Sequence, residues 1–400
     1  MNILFVINTI SKAGAEMALI ELLKCLGNDH NIDLYILTSQ GELIDSIPSN
    51  VNILNDHIDK NTVLSKEGRK HLMKMTAGRA LNRGSVFKNL PYMIGNAVKL
   101  RGEKYFRPEN LIWRMVSDGA VRFDKKYDLA VAYLEGGATY YVAEHVNASK
   151  KVAFVHVDYS RGGYSRSLDK NDYAQFDRVY TVSDEVKGTF TKIYPEFADK
   201  TEVFHNLVDQ DRIRRRAEEG KGFTDDFDGS RILTVGNLSP QKGYDIAIDA
   251  VDILKKRGLN IRWYVAGEGK CRAELEKKIA DLGLENEFVL LGSVPNPYPY
   301  LKECDLYVHA SRYEGKSIAI QEALTLGNAV IASDRSGNRE QIRDGIDGVL
   351  CELSPEGIAS AVERVLKDDE LMKKLKENAL LIRYDSRDDV EKMLALVEQN

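Results

Sequence analysis

Cysteine is scarce: Cys25, Cys271, Cys304 and Cys351 are the only four in 400 residues, far apart and without a C-x-x-C pair. That excludes a disulfide scaffold and the common zinc spacings, and reduced thiols of a cytoplasmic protein are the expectation. No apolar run approaches the roughly 20 residues that a bilayer-spanning helix needs. Met1 to Ile7 lacks the basic flank and small-residue cleavage site of a secretory leader. No repeat of 20–50 residues and no low-complexity tract is present. Proline is sparse at nine, while hydrophobic residues make up 43% and charged residues 29%, which excludes collagen-like, mucin-like and disordered chains. An excess of positive charge is also lacking. The 56 Lys and Arg stand against 61 Asp and Glu, and a net charge of −5 argues against a whole-chain nucleic-acid binder.

What is present is a long alternation of apolar and amphipathic segments. The length suggests two or three domains at roughly 150 residues each. Asn2 to Ile7 reads as a buried strand, followed by a helix over Gly14 to Leu26 with Ala15, Ala18, Leu19, Leu22, Leu23 and Leu26 on one face. Further strands are expected at Ile32–Leu37, Asp128–Leu134, Lys151–Val157 and Arg178–Val182. A second series begins near Arg231, with strands at Arg231–Val235, Ile261–Ala266, Glu287–Leu291, Asp305–Ala310 and Ala329–Ser333. Helical patterns separate them near Tyr244–Lys256, Lys270–Leu282 and Ser317–Leu326. Continuous apolar strands alternating with helices predict parallel sheets covered on both faces. The polar stretch Asp209–Ser230 reads as a hinge or linker. The expectation is an α/β protein of two Rossmann-like lobes facing across a cleft, with boundaries at 1–207 and 208–385. A last helix is expected at about 386–400.

From Lys66 to Arg107, eleven Lys and Arg stand against Glu67 and Glu103 alone, a local balance of +9, with Met73, Phe87, Leu90 and Ile94 interleaved. Such a patch would be drawn to anionic lipid. The plainer reading is a solvated insertion between strands.

Four stretches carry chemistry. NTISKAGAE (8–16) places Gly14 at a helix start directly after the first strand, where free N–H groups and the helix dipole favour an anion. VGNLSPQKG (235–243) does the same in the second series. Gly236 lets the backbone approach a ligand there, and Lys242 can reach it. DLYVHASRYEGKSIAIQEALTL (305–326) contains a relaxed phosphate-loop pattern. That pattern belongs at the start of its domain, and Glu314 would repel the phosphates it should cradle. The same stretch also sets Glu314 in a loop and Glu322 about two helical turns on, both at carboxyl ends of strands. Carboxylates accept paired hydrogen bonds from sugar or ribose hydroxyls, and the helix start from Gly315 through Lys316 and Ser317 to Ile318 can hold phosphate. Finally, AFVHVDY (153–159) ends a buried strand on His156. Each residue also has a plain structural reading: a turn lysine, a surface helix glutamate, a core histidine.

Taken in order, these pieces resemble the retaining, nucleotide-sugar-dependent glycosyltransferases of family 4, with the two-lobed GT-B fold. AGAE (13–16), AFVHVDY, HNLVD (205–209), VGNLSPQKG, VAGEGKCRAELE (265–276), NPYPYLKECDLYVHASRYEG (296–315), the Glu314-x7-Glu322 pair and GNREQIRDGIDGVL (337–350) carry the likeness across nearly the whole chain. The resemblance implies that Lys242 neutralises the departing diphosphate and that Glu322 grips the ribose. It implies that Glu314 orients the transferred sugar and that His156 contacts that sugar from the other lobe. Gly14 and Ala15 would bring backbone close to the donor, and only this resemblance implies that the last helix packs back on the first lobe. It further implies a UDP-sugar donor, no metal and no cofactor, and a lipid-linked or oligosaccharide acceptor in bacterial surface polysaccharide assembly. The protein would then work in the cytoplasm or on the inner face of the plasma membrane.

One position departs from the family. Asn237 stands where an arginine usually follows the loop glycine, replacing a charge-assisted hydrogen bond with a neutral one about half as strong. Arg312, Arg335 and Lys316 are the candidates to compensate. Asn237 also motivates a second expectation, a catalytically weak sugar-nucleotide-binding partner subunit, and a nucleotide-sugar epimerase of the same fold is a third. Asp226-Phe227-Asp228 reads as a chance acidic loop rather than a metal motif.

Overall fold

The computed structural model describes the chain apart from residues 63, 64, 104, 106, 160, 385, 386, 399 and 400, so Lys104 of the basic segment and three positions of the expected last helix lie outside the described residues. Two compact units result. Residues 1–207 and the C-terminal helix Arg387–Glu398 form the first, and 208–384 form the second.

The first unit is built on a seven-stranded sheet in the order β3-β2-β1-β4-β5-β6-β7. Its strands are β1 (Asn2–Ile7), β2 (Asn31–Ile36), β3 (Val51–Ile53), β4 (Tyr127–Ala132), β5 (Ala148–Val155), β6 (Arg178–Thr181) and β7 (Thr201–Val203). Every pairing is parallel. Ile3 to Ile7 are all fully buried, as a strand covered on both faces requires. The last helix sets Val390, Met393 and Leu396 into the core beside β4 and β5.

The second unit repeats the plan with six parallel strands in the order β10-β9-β8-β11-β12-β13. They are β8 (Ser230–Val235), β9 (Ile261–Ala266), β10 (Phe288–Gly292), β11 (Leu306–His309), β12 (Ala329–Ser333) and β13 (Val349–Cys351). In each sheet the order reverses once, between β1 and β4 and between β8 and β11. Open α/β sheets bind ligands at the carboxyl ends of the strands beside such a reversal.

Two expectations change. The stretch 209–230 is not a bare linker: Asp209 caps the helix Gln210–Ala217, which buries Ile213 and Ala217. Asp225 then fastens the following loop by accepting from Arg231 at 3.0 Å, Arg262 at 3.1 Å and Tyr264 at 2.5 Å. The basic segment, read as a charged insertion, forms two helices, Lys66–Leu81 and Ser85–Lys99.

Candidate active site

In the second unit, the loops after β8 and β11 flank the strand-order reversal, and they bring Lys242 and Glu314 together. Lys242 Nζ lies 2.5 Å from Glu314 Oε1. The chain can reach this position because Gly243 takes a left-handed turn (φ 66°), where a Cβ would stand 2.1 Å from the Ala310 carbonyl oxygen. Gly236 is equally close-set: its carbonyl accepts from Tyr244 OH at 2.9 Å, and a Cβ there would come 3.3 Å from Lys242 Cε.

Glu314 is buried and multiply held. His309 Nε2 is 3.0 Å from the same Oε1, and Gln241 Nε2 approaches Oε2 at 3.4 Å. Burial pushes the Glu314 carboxyl up, but the Lys242 charge and the His309 hydrogen bond outweigh it and hold the group well below the usual carboxylate range. His309 is pulled down by burial and by Lys242, which keeps the imidazole neutral. Its tautomer follows from its partners. Nδ1 lies 3.2 Å from Tyr307 OH, so Tyr307 donates there while Nε2–H points at Glu314.

Glu322 lies on the helix Ile318–Thr325 and accepts from Tyr298 OH at 2.8 Å. That helix starts after Ser317, which is buried and makes no side-chain capping bond, so its first N–H groups keep their capacity for an oxyanion. Gly315 lies at the same edge. The turn after Arg335 is pressed on it, for a Cβ on Gly337 would meet the Glu314 and Gly315 carbonyl oxygens at 2.5 and 2.6 Å. Lys316 is half-buried there and Asn237 is exposed. Arg312, expected to compensate for Asn237, is turned elsewhere. It forms a bidentate pair with Asp245 at 2.8 and 2.7 Å and also donates to the Pro240 carbonyl at 2.6 Å. Arg312 therefore braces the 236–243 loop from outside.

In the first unit, Gly14 begins the helix Gly14–Leu26 with Ala15 in its first turn, and Ala13 before it makes no side-chain capping bond. Glu16 next to them is buried, its carboxyl pushed up to about 7 by desolvation, with a Ser11 hydroxyl at 2.9 Å pulling the other way. His156 follows β5 directly. Burial lowers its imidazole to about 4, a bond to the Tyr133 backbone opposing, so the ring is neutral at physiological pH. Among the described residues its Nε2 is buried with no hydrogen-bond partner. Glu135, just beyond β4, accepts from the His156 and Val157 N–H groups, the latter at 3.0 Å, and so fixes the turn that aims the ring. Burial raises its own carboxyl to about 7, the two N–H groups opposing.

Glu135, His309, Gln241 and Tyr298 escaped the sequence reading. A polar residue closing the apolar run LYVH and the Glu-Gly-Gly turn after β4 are the signals that mark two of them. Asp118, Glu144 and His145 bring ligand-type atoms within 4.8 Å of one another. They are ion-paired with Arg114 and Lys88, and they sit at the ends of the helices Ile112–Asp118 and Gly137–His145 rather than at the strand ends.

Residues 221–381 match the family model described as glycosyl transferases group 1. A Campylobacter jejuni protein named N-acetylgalactosamine-N,N'-diacetylbacillosaminyl-diphospho-undecaprenol 4-alpha-N-acetylgalactosaminyltransferase is 33% identical over 198 residues, covering 48% of this chain and 52% of that one. The alpha-D-kanosaminyltransferase of Streptomyces kanamyceticus is 34% identical over 175 residues, 43% of this chain and 45% of the other. The chain thus spans about half the length of these curated relatives. Among solved structures, Anabaena HepE in complex with UDP and glucose superposes with a TM-score of 0.68 at 18% identity, covering 100% of this chain and 99% of that one. At that identity the likeness speaks for the fold, which is of the GT-B type.

Proposed function

We propose that this chain, whose residues 221–381 match the family model of glycosyl transferases group 1, moves a sugar from a nucleotide-diphosphate sugar to an acceptor hydroxyl in surface-glycan assembly. The Lys242–Glu314 pair at the strand-order reversal of the second unit is the observation that carries the reading. A UDP-sugar is the first donor to test, since HepE was solved with UDP. An undecaprenol-linked glycan is the first acceptor, by the name of the Campylobacter relative.

In this scheme the donor diphosphate competes with Glu314 for Lys242. The lysine shares its charge with the leaving phosphate while staying near enough to keep Glu314 ionised, and Glu314, backed by neutral His309, turns its free lone pairs to sugar hydroxyls. Glu322 takes the ribose hydroxyls, and the helix start after Ser317 takes phosphate oxygens. In the first unit, the orphaned Nε2 of His156 suits a sugar hydroxyl as donor, and the start at Gly14 and Ala15 suits an anion. The bond from the anomeric carbon to the phosphate oxygen breaks with its electron pair on the phosphate. The acceptor oxygen bonds to the same face of that carbon, and its proton passes to the leaving phosphate. Lys242 and the helix start supply the positive charge, so this route requires neither metal nor cofactor.

Incubation with UDP-, GDP- and ADP-sugars, with and without an undecaprenol-linked acceptor, tests the reading by nucleotide release and by glycoside formation. Glu322→Gln is expected to raise the donor KM about ten- to hundredfold, the worth of a hydrogen bond to a charged group. Tyr298→Phe, which acts only by positioning Glu322, should raise KM about fivefold and spare kcat. An unchanged donor KM in both variants removes Glu322 from the site.

One observation favours a second reading. With Asn237 in the loop and Arg312 engaged by Asp245, Lys242 is the one cation that the 236–243 loop, all of it among the described residues, offers the diphosphate, as in a subunit that binds sugar nucleotide and transfers slowly. Tight donor binding with no glycoside product would select it. An altered free nucleotide sugar would instead identify an epimerase.

A further inference from the structure

The helix Ser85–Lys99 is inside out. Its inward face is polar: Ser85, Asn89 and Asn96 are buried, and Tyr92 is half-buried beside them. Each is tied down. Ser85 Oγ donates to the Met115 carbonyl at 2.7 Å, Asn89 Nδ2 to Asp118 Oδ2 at 2.7 Å, and Tyr92 OH to the Leu168 carbonyl at 2.8 Å. Just before the helix, Asn82 Nδ2 donates to the Gly119 carbonyl at 2.7 Å. These bonds fix the rotation of the helix about its axis, and its opposite face turns outward.

That outward face is apolar. Phe87 is 77% exposed, Leu90 47%, Ile94 57% and Val98 72%, at spacings of three and four residues that align them in one stripe. Leu81 and Met73 of the preceding helix are 74% and 66% exposed. Six of the twelve large apolar side chains exposed among the described residues therefore fall between positions 73 and 98. Scattered exposed apolar residues are ordinary, whereas a contiguous set on one helix marks an interaction face. Lys88 and Lys99 run along one edge of the stripe, and exposed Arg83 and Arg101 stand at its two ends.

The geometry points to a bilayer rich in anionic lipid as the occupant: the Ser85–Lys99 helix lies in the interface with Phe87, Leu90, Ile94 and Val98 among the acyl chains. An apolar stripe edged by Lys and Arg is the pattern of an interfacial helix. The chain as a whole carries −5, so anionic headgroups attract this face and repel the remainder, which sets the orientation as well as the affinity. The inference goes beyond the transfer reaction and stands without it, because docking needs neither donor nor acceptor.

The test is sedimentation of the full chain with vesicles of mixed phosphatidylglycerol and phosphatidylcholine, and with vesicles of phosphatidylcholine alone, without any sugar nucleotide. Binding is expected only with the anionic vesicles, and it should weaken as salt rises. Phe87→Ser with Ile94→Ser should reduce it at least about tenfold. Arg83→Gln, Lys99→Gln and Arg101→Gln together should reduce it about a hundredfold, taking each basic residue at the surface as worth roughly fivefold. Thermal unfolding of both variants should match the parent, since every replaced side chain is exposed. Equal pelleting of parent and variants overturns the proposal. So does a salt-insensitive dimer in light scattering that dissolves on Phe87→Ser with Ile94→Ser while no vesicle binding is found, for then a second copy covers the stripe.

Discussion

Lys242→Ala is expected to lower sugar transfer by about two to three orders of magnitude, the usual loss when one preorganised group facing a developing negative charge is removed. A second effect distinguishes this site from an exposed turn lysine. Glu314 is buried, and Lys242 is the cation that keeps it ionised. Without Lys242 it keeps only the neutral donors His309 and Gln241. The second unit should therefore lose about 1–3 kcal/mol, read by urea unfolding. Adding Glu314→Gln should restore much of that stability and none of the turnover. The sign of the pH effect follows. A carboxyl held below its ordinary value contributes stability above about pH 4.5 and loses it as pH falls further, so Lys242→Ala should flatten the acid limb of the unfolding profile. If Lys242→Ala leaves transfer and stability both intact, the assignment of this loop fails.

Arg114→Met carries the largest expected effect on stability. The guanidinium is fully buried, with one nitrogen 2.6 Å from Glu144 and the other 2.5 Å from Asp172 and 3.1 Å from the Leu168 carbonyl. It stacks 4.2 Å from the Tyr140 ring centroid and 5.3 Å from that of Tyr92. Removing the cation leaves two carboxylates, one of them buried, without their partner. That costs about 3–5 kcal/mol, a large share of the 5–15 kcal/mol that typical domains possess. Differential scanning calorimetry should show the transition of the first unit moved down and that of the second in place. Asp172→Asn in the same chain should recover part of the loss. A single unshifted transition would mean that the network contributes little. Because Tyr92 belongs to the inside-out helix, Arg114→Met should also weaken vesicle binding.

The sheets were legible because strands buried on both faces are written as continuous apolar runs, as in Ile3 to Ile7 and Ala329 to Ser333. Three strands were not. β3, β7 and β13 have three residues each, too few for any period to show, and they stand at sheet edges where pairing rather than sequence defines them. The helices 66–99 were hidden for another reason. Periodicity assumes that the apolar face turns inward, and in Ser85–Lys99 asparagine and serine do so instead, which left only the charge visible. In the candidate site, motif spacing singles out Lys242, Glu314 and Glu322, whose side chains sit at loop and helix positions set by local sequence. Their supports, His309 and Tyr298, act through neighbours far along the chain or across a strand end, and no spacing rule reaches them. Arg312 shows the converse: its place at a strand end was readable, but its pairing with Asp245 depends on tertiary packing.

The C-terminal helix has a consequence for synthesis. Its Val390, Met393 and Leu396 complete the hydrophobic interior beside β4 and β5, yet they emerge from the ribosome only after all of the second unit. The first unit thus waits, greasy and incompletely sealed, while about 180 further residues are translated, at roughly 5–20 per second. A stop codon before Arg387 would keep that seam open permanently, forfeiting on the order of 5 kcal/mol for three core side chains. Limited proteolysis should find such a truncated product cut in the first unit long before the second.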